Sequence, residues 1–468
     1  MSSAIFRTSR RHFGFSLCGF PLAWTAMARQ AVSGPWNAPA RVARVYLAAP
    51  KVHWPKPTLD VAAEVKAVEE RIAEVGLKHA AHVQLVGGEI LSSEQEVRPW
   101  LAAMGELDGV LIIPVAQPTP ALRALVDALE VPALFFSRPY ATHAWSSIAG
   151  WRAAGKKLEV VAGSSYGDLD PYMRMFHTVR HLRKSKVLVG AATPQSREAA
   201  AAAYQKHFGT QFRFLAGPDF RQAFEAVGEK EARQEAEAFV RGAVRVVEPS
   251  PREILDGVRF YLALKNLLHR EEANAITIDC FGSLAANTLP GYPCIAWSRF
   301  NDAGLYGVCE GDLASTMTQI LVTSFSGMPG FVSDPVFDAS RNEVIHAHCV
   351  SATRMLGING PASPYLIRNH LETNEGAVLQ VLMPADETVT VARFTDPQRM
   401  LLSTAEVIDA VRDSDRGCRS QIRTRVSDAE KWLNHFTAGL HRVVFYGDHV
   451  RNVERMGRLM GFQVVREL

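Results

Sequence analysis

Two kinds of hydrophobic pattern alternate along the first two thirds of the chain. Apolar runs of about four to eight residues, typical of buried strands, alternate with longer segments in which apolar positions recur every three or four residues, typical of amphipathic helices. This alternation predicts βα units on a parallel sheet. The first series comprises ARVYLAAP, TLDVAAEVKAVEERIAEVG, HVQLVGG, SEQEVRPWLAAMGEL, DGVLIIPVA, TPALRALVDALE and VPALFFS.

A second βα series begins at residue 185. We predict strands at SKVLVGAATP, QFRFLAG, AITIDCF and PCIAWSRF, and helices at SREAAAAAYQKHFG, EKEARQEAEAFVRGAVRVV and SPREILDGVRFYLALKNLLHREE. In the last of these helices, Ser250 precedes a proline and Glu253 stands three residues after it. This arrangement predicts a capped helix start at Ser250.

The pattern becomes β-rich from Gly330 onward. The strand-like runs are NEVIHAHCV, AVLQVLMPADETVTVARF, MLLSTAEVI, HRVVFYG and FQVVREL, with MPADETV predicted as a hairpin tip. The predicted fold class is therefore α/β, with two successive parallel-sheet α/β domains followed by a mostly β C-terminal domain. The predicted boundaries are 43–175, 176–328 and 329–468, after a Pro-, Gly- and Ala-rich linker at 29–42.

Residues 1–28 predict a twin-arginine export signal. Arg10 and Arg11 precede a modest apolar stretch, and Ala26-Met27-Ala28 forms a small-x-small cleavage site. The alternative is a basic tail beside a short membrane anchor. It is disfavoured because the stretch contains Pro21 and is shorter than the ~20 residues of a spanning helix. We therefore expect a periplasmic or other extracytoplasmic protein.

Charge gives the predicted mature chain no reason to bind nucleic acid or an anionic membrane. The sequence has 51 basic and 48 acidic side chains, and residues 1–28 contain three arginines and no acid, so 51 − 3 = 48 basic groups balance 48 acids. Neither GxGxxG nor GxxxxGK[ST] occurs, so nucleotide binding is unsupported.

The six cysteines predict no structural metal site and no disulfide framework. Cys18 lies in the predicted signal, and the remaining five are irregularly spaced without a CxxC pair.

Three acids stand in an otherwise apolar, small-residue stretch at 305–337. They are Glu310, Asp312 and Asp334, and bare carboxylates are costly to bury without a partner. His346 and His348 alternate with Ala347, so a strand would place both on one face. His435, His441 and His449 follow near the end. Carboxylates with imidazoles form a ligand set for divalent metals such as manganese, zinc, iron or cobalt.

Spacing alone leaves ordinary structural roles open for each of these residues. Glu310 suits the N-terminus of a helix, and Asp334 before Pro335 suits a turn. A histidine such as His346 or His348 is more often a hydrogen-bonded core residue than a ligand, and His441 suits a strand. The metal site therefore stays one hypothesis among these.

The motifs from residue 275 to 450 resemble the L-fucose isomerase and L-arabinose isomerase superfamily, mostly its fucose-isomerase-like branch. They are ITIDCF, PCIAWSRFNDAGLYGVCEGDLASTMTQILVTSFSGMPGFVSD, VIHAHC, YLIRNHLETNEGAVLQVLM and HRVVFYGDH. The resemblance extends more weakly over residues 40–468. It implies two α/β domains followed by a β-rich domain, in the order predicted above.

The resemblance also implies a ligand set for one divalent metal, usually manganese. Glu310 matches the family glutamate in CEGD, and Asp334 matches the aspartate after the SG.P turn. His441 is the best match for the C-terminal histidine, with His435 as the alternative. His348 resembles a further histidine ligand of arabinose isomerases.

The implied activity is metal-dependent aldose–ketose isomerisation of a fucose- or arabinose-like sugar through an enediolate. Glu310 and Asp334 would shuttle protons, and Arg368 and His370 are candidates for contacts with sugar hydroxyls. Family members form trimer-based hexamers, so we expect a homo-oligomer, a trimer or a hexamer. Two alternatives stay open: an exported carbohydrate-binding protein with a vestigial metal site, and a sugar epimerase or lyase on the same scaffold.

Overall fold

The computed structural model describes residues 34–117, 120–191, 195–412 and 415–468. The predicted export signal, residues 1–28, lies outside the described residues, as does the beginning of the predicted linker. Two parallel sheets follow one another along the described chain, and a β-rich region comes after them. This order confirms the predicted fold class.

The first sheet is parallel, with its five strands in the order β2-β1-β3-β4-β5. The strands are β1 (Ala40–Leu47), β2 (Val83–Leu91), β3 (Gly109–Pro114), β4 (Ala133–Ser137) and β5 (Leu158–Ala162). The helices are α1 (Val61–Lys78), α2 (Glu94–Met104), α3 (Pro120–Ala128) and α4 (Ile148–Ala153). β3 and β4 are buried along their whole length, as expected for strands covered on both faces.

The second sheet is also parallel, with the order β10-β9-β6-β7. The strands are β6 (Lys186–Gly190), β7 (Gln211–Leu215), β9 (Ala275–Ile278) and β10 (Tyr306–Cys309), while the short β8 (Arg245–Val246) belongs to another sheet. The helices are α5 (Asp170–Lys184), α6 (Gln195–Phe208), α7 (Gly217–Glu225), α8 (Glu229–Gly242), α9 (Pro251–Arg270), α10 (Cys280–Ala285), α11 (Cys294–Asp302) and α12 (Leu313–Ser326).

Six strands of the C-terminal region close into a barrel. β15 pairs with both β18 and β16, which completes the ring β15-β18-β11-β12-β17-β16, and β19 extends it beside β16. These strands are β11 (Phe331–Asp338), β12 (Glu343–His348), β15 (Thr388–Asp396), β16 (Arg399–Ala410), β17 (Ser420–Arg425), β18 (Arg442–Tyr446) and β19 (Gln463–Arg466). β13 (Tyr365–His370) and β14 (Glu375–Val381) form a separate sheet with β8. The helices of this region are α13 (Ala429–Asn434) and α14 (Val450–Met460).

Helix capping follows the sequence signals. The Ser250 hydroxyl accepts a hydrogen bond from the Glu253 amide at 3.3 Å, and the Glu253 carboxylate accepts one from the Ser250 amide at 2.8 Å. This reciprocal pair confirms the predicted start of α9. Asp312 caps α12 in the same region of the chain as Glu310, because its carboxylate accepts the Ser315 amide at 3.0 Å. In the described part of the chain, no helix combines the length and apolar character needed to cross a membrane.

Two local predictions were wrong. PCIAWSRF was predicted as a strand, but Cys294–Asp302 form α11. Most of this helix is buried, so it lacks the polar face that would have revealed a helical period. MPADETV was predicted as a hairpin tip, but β14 and β15 belong to different sheets. Two neighbouring buried β runs do not identify their pairing partners, and here each run pairs elsewhere.

Candidate metal centre

The candidate site lies where the second parallel sheet meets the barrel. Glu310 follows the last residue of β10, Asp334 lies within β11, and His348 ends β12. His441 immediately precedes β18. The structure therefore brings together all four residues that were predicted as metal ligands, although they come from four separate segments.

The backbone at Glu310 adopts an unusual conformation. Glu310 has φ = 60° and Gly311 has φ = 63°, so two successive residues lie in the left-handed region. This region costs a non-glycine residue roughly 1–2 kcal/mol. Arg197 donates to the carbonyl oxygens of Glu310 at 3.3 Å and Gly311 at 3.1 Å, and the Gly311 amide donates to Ile278 at 2.9 Å. These contacts hold the strained turn, and such strain often marks a functional site.

His441 is the centre of the cluster. Its Nε2 lies 3.4 Å from Glu310 Oε2 and 3.4 Å from Asp334 Oδ1. Its Nδ1 donates a hydrogen bond to Asp312 Oδ2 at 2.8 Å. In a neutral ring, donation from Nδ1 leaves the lone pair on Nε2, which faces the two carboxylates. The geometry therefore presents His441 Nε2 as a ligand atom.

Asp312 is fixed behind His441 by a second partner. Arg393 donates to its Oδ2 at 2.6 Å. Burial alone would raise the pKa of Asp312, but His441 and Arg393 lower it well below its usual range. Burial alone would likewise lower the pKa of His441, but Asp312 and Glu310 outweigh it and raise that pKa to about 10. In the metal-free protein the His441 ring is therefore positively charged, and it faces the carboxylates of Asp312, Glu310 and Asp334.

His348 approaches Glu310 from another side. Its Nε2 lies 3.8 Å from Glu310 Oε1, and its ring centroid lies 5.4 Å from that of His441. Its Nδ1 accepts the Cys349 amide at 2.9 Å. A neutral ring that accepts at Nδ1 carries its proton on Nε2. Coordination through Nε2 would therefore require that the Cys349 contact be given up, which ranks His348 behind His441 as a ligand.

Three buried polar atoms in this cluster have no hydrogen-bond partner among the described residues. They are Asp334 Oδ1, His348 Nε2 and His441 Nε2. A buried polar atom without a partner is costly, and three at one point need a common explanation. A cation would satisfy Asp334 Oδ1 and His441 Nε2 together, and His348 Nε2 as well if its ring gave up the Cys349 contact. Glu310, His348 and His441 also offer ligand atoms that lie within 4.8 Å of one another.

The carboxylates differ in their surroundings. The Glu310 side chain is 32% exposed, so the site keeps an open side. The Asp334 side chain is 27% exposed, and burial, together with the negative charge of Glu310, raises its pKa despite the neighbouring histidines. Oxygen and imidazole donors of this kind suit a divalent metal such as manganese, zinc, iron or cobalt, and the open side leaves room for a further ligand.

The other sequence candidates have separate partners. His346 donates to or accepts from Ser333 at 2.9 Å in the barrel core, and His435 Nδ1 contacts its own helix at Lys431 O, 2.8 Å away. The structure therefore places His441, and not His435, in the cluster. Arg368 is engaged by Glu248 at 2.6 Å, whereas His370 is buried with its Nδ1 unpartnered among the described residues.

The charges of the cluster affect the pKa values of His370 and Glu372. Burial lowers the pKa of His370, with smaller effects from Glu310 and His348. Burial raises the pKa of Glu372, as do the charges of Asp334 and Glu310. The His370 ring also lies 5.7 Å from the partly exposed Phe281. Polar groups and one aromatic ring therefore lie within electrostatic range of the cluster or in contact with a residue that does.

Sequence reasoning gave no role to three residues that organise the site. Asp312 was noted only as an acid. It directly precedes Leu313, the first residue of α12, and an aspartate at that position is a helix-capping signal. Arg197 lies 113 residues before its partner Glu310 in the sequence, and Arg393 lies 81 residues after its partner Asp312. No local signal in the sequence could have identified them.

Comparison with known proteins adds one relative. No family model matches the chain. The chain is 24% identical over 239 residues to a curated protein named sulfoquinovose isomerase from Clostridium sp. (strain MSTE9). The matched region covers 47% of this chain and 49% of that protein, so the chain spans about half the length of the curated relative it matches.

Proposed function

We propose that the chain is a metal-dependent aldose–ketose isomerase that acts on a small sugar. The observation that carries this proposal is the convergence of Asp334 Oδ1, His348 Nε2 and His441 Nε2 around Glu310. These buried atoms lie at ion-pair distances of 3.4–3.8 Å from one another or from Glu310, and none has a hydrogen-bond partner among the described residues. The distant similarity to a protein named as a sugar isomerase supports the reaction class.

Glu310, Asp334 and His441 are the proposed ligands of Mn²⁺ or another divalent cation, with His348 as a fourth position. The donor set fits such an ion, and the Asp312–His441 hydrogen bond is the kind of support that orients a metal-binding imidazole. When bound, the cation would supply Lewis acidity to the oxygens of an α-hydroxy carbonyl group.

The side chains would perform the proton transfers. Isomerisation moves one proton between C1 and C2 and another between their oxygens, so one acid–base group must reach the two carbons and another must reach the two oxygens. Asp334, whose pKa is raised by burial, suits the group that takes and returns a proton. Glu310 faces the open side and suits the second group. As long as its ring keeps the Cys349 contact and does not bind the metal, His348 Nε2–H suits donation to a substrate oxygen.

His370 and Glu372 would determine which sugar is accepted. His370 has an unpartnered buried Nδ1, and Glu372 has a raised pKa, so each can exchange hydrogen bonds with sugar hydroxyls. Phe281, which is 42% exposed beside His370, provides an apolar face for the sugar ring.

The test combines metal content with turnover. The full chain is assayed for aldose-to-ketose conversion over pentoses, hexoses, deoxyhexoses and sulfoquinovose, with added Mn²⁺ and with chelator. We expect turnover that chelator removes and that Glu310→Gln lowers by at least about a hundredfold. Glu430→Gln, which changes an exposed glutamate of α13, is the matched control. Bound metal without turnover on any sugar would refute the isomerase and favour a carbohydrate-binding protein.

We also propose that the protein is exported by the twin-arginine pathway and works as a homo-oligomer. Val336, two residues after Asp334, is 54% exposed, and Leu440, directly before His441, is 57% exposed. Apolar side chains at these positions suit contact with a second copy beside the site. We expect sedimentation of a trimer or hexamer that Leu440→Asp shifts to smaller species. Unchanged sedimentation would contradict this interface.

Export is checked separately, by cell fractionation of the Arg10→Lys and Arg11→Lys variants.

A further inference from the structure

The five cysteines of the described chain are free thiols, and four of them are buried. The Sγ atoms of Cys280 and Cys309 lie 2.8 Å apart, and those of Cys294 and Cys349 lie 3.6 Å apart. Cys418 is only partly buried. Cys309 directly precedes Glu310 in the sequence. The cysteines therefore adjoin the candidate metal centre, although none of them is a proposed metal ligand.

The Cys280–Cys309 pair is brought together by neighbouring strands. Cys309 ends β10 and pairs in register with Ile278, the last residue of β9. Cys280 follows Ile278 by two residues and begins α10. The separation of 2.8 Å is shorter than the ~3.5–4 Å at which non-bonded heavy atoms normally pack, and longer than the ~2.05 Å of a disulfide. The backbone therefore already presents the two sulfurs to each other.

We infer that Cys280 and Cys309 form a redox modification site, which closes to an intramolecular disulfide when it meets a small disulfide oxidant such as oxidised glutathione. One cysteine attacks a sulfur of the oxidant, forms a mixed disulfide and releases one thiol. The second cysteine attacks the mixed disulfide and releases the second thiol. Two protons and two electrons pass from the cysteines to the oxidant, and one S–S bond replaces another.

This disulfide would join two elements of the site. Cys309 is covalently attached to Glu310, and Cys280 is the first residue of α10. Oxidation would therefore tie the strained turn at Glu310 to the start of α10. Because both thiols are buried, the oxidant reaches them through local opening or while the chain folds.

The test maps thiols in the full chain and needs neither metal nor sugar. The reduced native protein, and separately protein refolded from urea, are incubated with oxidised glutathione and then alkylated in denaturant. The sequence has six cysteines. We expect the titratable thiols to fall from six to four and mass spectrometry to identify a Cys280–Cys309 cross-linked peptide in at least one of the two treatments.

Three serine variants provide controls. Cys280→Ser and Cys309→Ser should each abolish this cross-link, whereas Cys294→Ser, which changes a cysteine that is also buried, should retain it. Six free thiols after both treatments of the unmodified chain would overturn the inference. A dominant cross-link between Cys294 and Cys349, with Cys280 and Cys309 left free, would overturn it as well.

Discussion

Replacing Asp312 with asparagine would separate two roles of one side chain. The Asp312 carboxylate caps α12 by accepting the Ser315 amide at 3.0 Å. It also accepts His441 Nδ1 at 2.8 Å and Arg393 Nη1 at 2.6 Å. Asparagine caps a helix about as well as aspartate. Asp312→Asn therefore preserves the cap and removes the negative charge that faces His441 and Arg393.

Two effects of different size are expected. Loss of the group that orients a metal-binding histidine typically lowers metal affinity ~10–100-fold, which is about 1.4–2.7 kcal/mol. Arg393, whose side chain is 10% exposed, would lose its counter-ion. Breaking a buried pair costs ~3–5 kcal/mol. Because Arg393 keeps Ser315 Oγ and the Ala438 carbonyl as acceptors, we expect the lower end, about 3 kcal/mol of unfolding free energy.

The assay is calorimetric titration with Mn²⁺, followed by urea unfolding of the metal-free protein. Asp428→Asn is the matched control, because Asp428 caps α13 through the Lys431 amide at 2.8 Å and is exposed. We expect the control to keep both the affinity and the stability of the unmodified chain. If Asp312→Asn bound Mn²⁺ within about twofold of the unmodified chain, Asp312 would have no role in holding His441, and the proposed ligand geometry would be wrong.

Three further predictions concern the histidines and the strained turn. His441→Gln should weaken Mn²⁺ binding by more than about a hundredfold, whereas His348→Gln should weaken it by about tenfold at most, and equal losses in calorimetry would contradict this ranking. Burial lowers the pKa of His181 to about 3. Below the ordinary histidine pKa of about 6.5, the folded state therefore binds fewer protons at His181 than the unfolded state does. The contribution of His181 to the free energy of unfolding is complete above that pH, and it falls by up to ~1.4 kcal/mol per pH unit as the pH drops toward 3. His181→Gln should flatten this loss in urea unfolding at about pH 7 and pH 5, and an unchanged slope would refute it. Arg197→Lys should lower kcat about tenfold and also weaken Mn²⁺ binding, because the turn that Arg197 holds carries the proposed ligand Glu310; kcat at saturating Mn²⁺ and calorimetry check it, and unchanged values of both would refute it.

The parallel sheets could be predicted because their strands and helices have different hydrophobic periods. The same local signals identified the start of α9, where Ser250 and Glu253 cap each other. Periodicity failed at Cys294–Asp302, where a helix is buried on most sides and has no polar face to mark its period. Burial therefore removed the very contrast from which the prediction was made.

The candidate site was predictable only in its most recognisable residues. Glu310 and Asp334 stand in motifs that resemble a known family, and the structure brings them together with His441. Arg197 and Arg393 reach the site across more than 80 residues of sequence, and nothing local distinguishes them from surface arginines. The close approach of Cys280 and Cys309 depends on the pairing of β9 with β10, which cysteine spacing does not reveal.

The position of His441, directly before the barrel strand β18, means that the candidate site is completed late in synthesis. β18 lies between β15 and β11, and His441 directly precedes it. His441 leaves the ribosome 131 residues after Glu310, since 441 − 310 = 131. Until then a nascent chain can hold the carboxylates but not the imidazole that faces them. Metal would therefore be acquired late, by a chain whose barrel has closed, and its retention would report that both halves of the site have folded.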